Sequence, residues 1–69
     1  MRIGKTLREA RIAAGFSQEE LAKGALVSRV YVSMLEHDKK SPTLDVYVRL
    51  CAAMDIRPST LLARVERAN

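Results

Sequence analysis

Cysteine is nearly missing from this 69-residue sequence: Cys51 stands alone, so no intrachain disulfide can form. Histidine is as scarce. With His37 the single imidazole and Cys51 the single thiol, no zinc site can be assembled, and no metal or other cofactor is expected. The apolar runs are all far shorter than the roughly 20 residues a bilayer-spanning helix needs, which speaks against a membrane partner. No secretory pattern opens the chain, because Glu9 and Arg11 interrupt its early apolar residues. A free thiol without such a signal sets the expectation of a reducing cytoplasm. Alternation of period two is absent too, so no strand is expected. One Cys and one His, out of register with each other, leave no nucleophile–base pair, and an enzyme is not expected.

The length fits one domain, residues 1–69. A domain this short buries only about 60% of its unfolded surface. Without disulfide or metal, helix packing and oligomerisation are the two ways left to make it stable. Twelve Lys and Arg against eight Asp and Glu give a formal charge of +4. That balance leans toward an anionic partner, nucleic acid above all, but is weak taken alone.

A 3.6-residue period of apolar side chains recurs in five segments, at about 2–14, 18–25, 29–37, 44–54 and 58–67. In the first, Ile3, Leu7, Ala10 and Ala14 share a face, and Gly15 is placed to end the helix with a positive φ. Phe16 then points back toward the bundle. Ser17 and Glu20 have the spacing of a capping box at the start of the second segment. Leu21, Ala22 and Ala25 form its apolar face. Ser28 caps the third, where Val32 and Leu35 point inward with Tyr31 at the edge. Arg29, Val30, Ser33, Met34 and His37 fan over the opposite arc. Thr43, or failing it Ser41, caps the fourth, whose inner face reads Leu44, Tyr47, Leu50, Cys51 and Met54. Pro58 is a good first residue for the fifth, which carries Leu61, Leu62 and Val65. The expected fold is all-α, a compact five-helix bundle.

The gap of about three residues between the second and third segments forces a steep crossing, as in a helix-turn-helix. Ala22 and Ala25 let the two backbones approach. The third helix then lies across the bundle surface with its outward arc open to a partner.

At this point the sequence resembles the phage-repressor-like (Cro/XRE-type) helix-turn-helix family. The matches are Ser17, Gln18, Leu21, Ala22, Val27, Ser28, Val32, Ser33, Leu35, Glu36, Pro42 and Leu44, all in one register, and the likeness extends over residues 3–65. The resemblance implies a lambda-repressor-like bundle that sets its third helix in the major groove of double-stranded DNA. It implies base contacts by Arg29, Val30, Ser33 and Met34. Phosphate contacts fall to Gln18 and Ser28 at helix starts and to His37, Lys39, Lys40 and Ser41 in the following turn. Free amides at the start of the second helix favour phosphate independently of the family. Arg11 and Glu36 match a pair that joins the first and third helices as a buried ion pair. The sequence departs from the family at Leu26, Asp38 and Asp55, which stand where glycines are common, and at Arg57, which replaces a capping Ser.

The function implied is a sequence-specific transcription regulator that binds a near-palindromic operator and blocks or recruits RNA polymerase. Small standalone members of the family include Cro-like repressors, restriction-modification controller proteins and antitoxins. The apolar surface of the fifth helix, Leu61, Leu62 and Val65, looks too large for so small a core, so a homodimer through that end is expected. With no ligand domain in the sequence, control would rest on the protein's own concentration. The competing reading is an adaptor or assembly module that uses the same fold without reading bases.

Overall fold

The computed structural model describes residues 2–69. Five helices follow in order: α1 (Gly4–Ala13), α2 (Gln18–Ala25), α3 (Arg29–Glu36), α4 (Leu44–Ala53) and α5 (Pro58–Ala68). No strand occurs among the described residues. The fold is all-α, as the periodicity requires.

Four of the five helix starts have a local cause. Ser17 Oγ accepts from the Glu20 amide at 3.0 Å while the Ser17 amide donates to Glu20 Oε1 at 2.9 Å, a complete capping box. Hydrogen bonding by Ser17, its backbone amide above all, lowers the Glu20 carboxyl from its ordinary value. Ser28 Oγ takes the Tyr31 amide at 3.1 Å, and Thr43 Oγ1, not Ser41, takes the Val46 amide at 3.2 Å. Arg57 makes no side-chain cap, and α5 starts on Pro58, whose missing N–H costs nothing at that position. The first helix begins at Gly4 rather than residue 2, with no side-chain cap from Ile3. Its first amide is taken instead by a residue 34 positions away: Gly4 N donates to Asp38 Oδ1 at 3.0 Å.

Four helices end in the same way. A left-handed residue follows the last turn, and the next amide donates to the carbonyl five residues back. The left-handed residues are Gly15, Leu26, Asp38 and Asp55, with φ of 83°, 60°, 57° and 54°. The closing bonds run from Phe16 to Arg11, Val27 to Ala22, Lys39 to Met34 and Ile56 to Cys51, at 2.8–3.1 Å. Phe16, Val27 and Ile56 then lie half-buried against the core, the apolar contact that accompanies this closure. Glycine accepts a positive φ freely, and Asp tolerates it. Leu26 does neither, and its side chain is 77% exposed, so no burial compensates. Leu26→Gly should therefore stabilise the fold by about 1 kcal/mol, the cost of left-handed geometry for an L-residue. Thermal unfolding should show a midpoint about 4–8 °C higher; an unchanged or lower midpoint would mean that the turn carries no strain.

The core joins all five helices. Leu7, Leu21, Val32, Leu35, Leu50, Cys51, Leu61 and Val65 are fully buried. Helix α2 packs on α3 and α4, α1 packs on α3 and α5, and α4 packs on α5. The Tyr47 hydroxyl donates to the Pro58 carbonyl at 2.6 Å, tying α4 to the start of α5, and burial pushes its pKa up to about 12.

Three sequence expectations change here. Leu61 and Val65 are 1% and 0% exposed within a single chain. They cannot serve as a subunit contact, because α1 and α4 flank α5 and already cover that stripe. Leu44 is 78% exposed, since the first residue of α4 points past the core rather than into it. Ala14 is exposed as well, lying beyond the last residue of α1.

Candidate nucleic-acid interface

Helix α3 is buried along one side only. Val32 and Leu35 are fully enclosed and Glu36 is 7% exposed. On the opposite side Arg29 and Val30 are exposed, and Ser33 and Met34 are half-buried at the margin. The four residues expected to read bases therefore lie on the arc that the bundle leaves open. No charged neighbour quenches Arg29: among the described residues it forms no ion pair, nor do Lys39 and Lys40.

What holds α3 in this attitude is a buried polar cluster. Arg11 on α1 donates through Nε to Glu36 Oε2 at 2.6 Å and through Nη2 to Glu36 Oε1 at 3.1 Å. The third guanidinium nitrogen, Nη1, donates to the Phe16 carbonyl at 2.9 Å. Gln18 Nε2 adds a bond to Glu36 Oε1 at 3.0 Å. One carboxylate at the end of α3 thus gathers donors from α1 and from the first residue of α2. The side chains of Arg11 and Glu36 are 11% and 1% exposed, so the pair sits away from water. The bidentate geometry supplies direction as well as charge.

Gln18 proves more occupied than its sequence position suggests. One proton of its side-chain amide is tied into the cluster; the second, with the backbone amides of Gln18 and Glu19, has no acceptor among the described residues, whereas the Glu20 amide is taken by Ser17. Ser28 likewise spends an acceptor lone pair on the Tyr31 amide, and its hydroxyl proton stays available at the exposed start of α3. His37 lies within 2.8 Å of the Ser33 carbonyl through Nδ1. A carbonyl only accepts, so Nδ1 is the donor in this contact. Lys39, Lys40 and Ser41 follow in an exposed turn whose path is set by Asp38.

Sequence reasoning missed the Asp38–Gly4 bond and the Gln18–Glu36 bond. Both join residues far apart in the chain, and no local pattern announces them. A faint signal existed for the first, an Asp at a glycine-like turn position.

A second long-range feature is the approach of α1 to α3. A Cβ placed on Gly4 would collide with the carbonyl oxygen of Glu36 and lie 2.9 Å from that of Leu35. The two backbones are therefore in direct contact, and only glycine fits. No group of His, Cys, Asp or Glu able to hold a metal exists among the described residues, and none of their helices is long and apolar enough to cross a membrane.

An arrangement of this kind, two short helices joined by a tight turn with the second lying open on the surface, defines a helix-turn-helix protein. Residues 7–61 match the family model described as helix-turn-helix, and the chain belongs to this family, in its Cro/XRE-type form. Among curated relatives, it is 32% identical over 60 residues to the transcriptional regulator ClgR of Mycobacterium tuberculosis, covering 87% of this chain and 54% of that protein. The chain spans about half the length of the curated relatives it matches. Among solved structures, it resembles the restriction-modification controller protein C.AhdI from Aeromonas hydrophila. The TM-score is 0.83 and the identity 38%, over 87% of this chain and 91% of the other. It also resembles SinR, a master regulator for biofilm formation solved in complex with DNA. There the TM-score is 0.80 and the identity 31%, over 87% of this chain and 97% of that one.

Proposed function

We propose that the protein is a transcription regulator that binds double-stranded DNA in a sequence-specific way, with α3 in the major groove. The observation that carries this reading is the open arc of α3, with Arg29 and Val30 exposed on a helix whose other side is locked by Arg11 and Glu36. Similarity to a controller protein and to a DNA-bound regulator supports it.

In this reading the roles divide by chemistry. Arg29 presents a fork that fits the O6 and N7 edge of guanine, a contact worth about 1–3 kcal/mol of discrimination. Val30 and Met34 press on thymine methyls, and Ser33 offers a hydroxyl to a base edge. Gln18, Ser28, His37, Lys39, Lys40 and Ser41 meet phosphates, as do the first free amides of α2. Arg29→Ala should relax the preference at one base pair while weakening binding, whereas Lys39→Ala should weaken all sequences about equally. Affinity measured against a panel of single-base variants checks this. Uniform loss from both substitutions would refute the division of labour.

The same reading includes a homodimer on a near-palindromic operator, with reading helices about 34–36 Å apart. The face assigned to it shifts with the structure. Leu62 and Val48, 42% and 44% exposed, join exposed Leu44 on the outer surface of α4 and α5. Ile3, Pro42 and Tyr47 border the same surface and line with Leu44 and Leu62 a groove of about 370 Å³. An apolar patch of this kind on so small a protein favours a partner of like surface. Selection of bound duplexes from a random pool tests both parts together, because a two-fold complex returns a symmetric motif. An asymmetric single half-site would remove the dimer, and recovery of no motif would remove base reading.

A further inference from the structure

The cations at the amino-terminal end of α1 take no part in the contacts assigned above. Arg2 and Lys5 are exposed, and no ion pair claims either among the described residues. Their place is nevertheless well defined. Gly4, between them, rests on the Leu35 and Glu36 carbonyls at the end of α3, and its amide is bound by Asp38. From the other side the last residue of the chain clasps the backbone. The Arg2 amide donates to Asn69 Oδ1 at 3.2 Å, and Asn69 Nδ2 donates to the Arg2 carbonyl at 2.9 Å and to the Val65 carbonyl at 2.7 Å. Arg2, Lys5, Asp38 and Asn69 border one cleft of about 220 Å³. It adjoins the turn that carries Lys39 and Lys40, directly beyond Asp38 in sequence.

We propose that Arg2 and Lys5 form a second phosphate-binding edge, continuous with the Lys39–Lys40 turn, and that its occupant is the sugar–phosphate backbone of the DNA duplex beside the half-site. The inference rests on the DNA-binding reading and extends its contact surface past the helix-turn-helix. The first amide of α1 is already spent on Asp38, so the helix end is not the attraction. The two side-chain cations are, and they are unpaired, exposed and held at the same end of α3 as the phosphate-facing turn. Asn69 acts as a positioning residue. It fixes the Arg2 backbone, so the arginine meets the duplex without a flexible tail to order first.

The test is the salt dependence of binding to a random-sequence duplex between about 50 and 200 mM salt, where each phosphate contact contributes close to 0.9 to the log–log slope. Wild type is compared with Lys39→Ala and with the double variant Arg2→Gln/Lys5→Gln, which keeps both stems and removes both charges. The expected result is a slope shallower by about 1.8 for the double variant and by about 0.9 for Lys39→Ala. Asn69→Ala should give a smaller flattening with Arg2 still present, which a merely structural role would not produce. The control Arg57→Gln removes one charge at the start of α5 and should leave the slope unchanged. Arg57 lies at the far end of that 11-residue helix, about 15 Å from its last turn. A double variant with the wild-type slope, beside a flattened Lys39→Ala, would overturn the edge and leave the DNA reading intact. So would a control flattened by about half as much as the double variant, since net charge alone would then explain both. A wild-type protein that fails to bind duplex at low salt overturns the DNA reading and the edge with it.

Discussion

Glu36→Ala is expected to destabilise the protein by about 3–5 kcal/mol, because it strands a guanidinium inside the fold. The Arg11 side chain is only 11% exposed, and Glu36 accepts two of its three cluster bonds as well as one from Gln18. Truncation leaves Arg11 with the Phe16 carbonyl as its sole remaining partner and Gln18 without an acceptor. Small domains have about 5–15 kcal/mol in total, and this one stands near the low end. The loss therefore approaches the whole stability, and thermal unfolding followed by circular dichroism should show a midpoint more than 10 °C lower, at about 4–8 °C per kcal/mol. The informative companion is Arg11→Met/Glu36→Leu. Removing both charges together leaves none buried and unpaired, so this variant should retain far more stability than the single truncation. If Glu36→Ala costs under about 1 kcal/mol, the pair is effectively solvated, and its role in holding α3 has to be abandoned.

Gly4→Ala is expected to lower stability, against the sign that helix propensity alone predicts. In an ordinary helical position the change gains up to about 1 kcal/mol. Here the new methyl would strike the Glu36 carbonyl and crowd that of Leu35. Both are backbone atoms at the end of α3, so no rotamer change can relieve the contact. Overpacking of this kind costs about 1–3 kcal/mol, and the first turn of a helix returns little propensity to offset it. Separating α1 from α3 also strains the Gly4–Asp38 bond and the bidentate pair, so affinity for DNA should fall together with the unfolding midpoint. A midpoint at or above wild type would show that the two helices can move apart freely.

Much of this architecture can be read from residue order, and the reasons are local. Ser17 with Glu20, Ser28, Thr43, Gly15 and Pro58 act within a turn of where they stand, so their signals survive without knowledge of the fold. The inner positions Val32, Leu35, Leu50 and Cys51 follow from period alone. Periodicity fails at helix ends, where a residue such as Leu44 has the right phase but no neighbouring helix above it. It fails again for Leu61 and Val65. Whether an apolar stripe is covered depends on which helices flank it, and α1 and α4 reach α5 only through the tertiary fold. The Arg11–Glu36 pair was visible only through likeness to a family, and Gln18's share in it was not visible at all. Asp38 was recognised as a turn residue, but its bond to Gly4 spans 34 positions. For the candidate site, the outward arc of α3 was legible because burial on one side implies exposure on the other. The clasp of Arg2 by Asn69 joins the two ends of the described chain, and nothing near either residue foretells it.

The single thiol offers an experimental handle that no engineering is needed to create. Cys51 is 0% exposed and burial raises its pKa, so an alkylating reagent finds neither access nor thiolate while the bundle is closed. Each modification event then counts one opening of the molecule. The pace of alkylation becomes a clock for transient unfolding, and whatever slows that clock, a duplex or a second copy, has bound the closed form in preference to the open one.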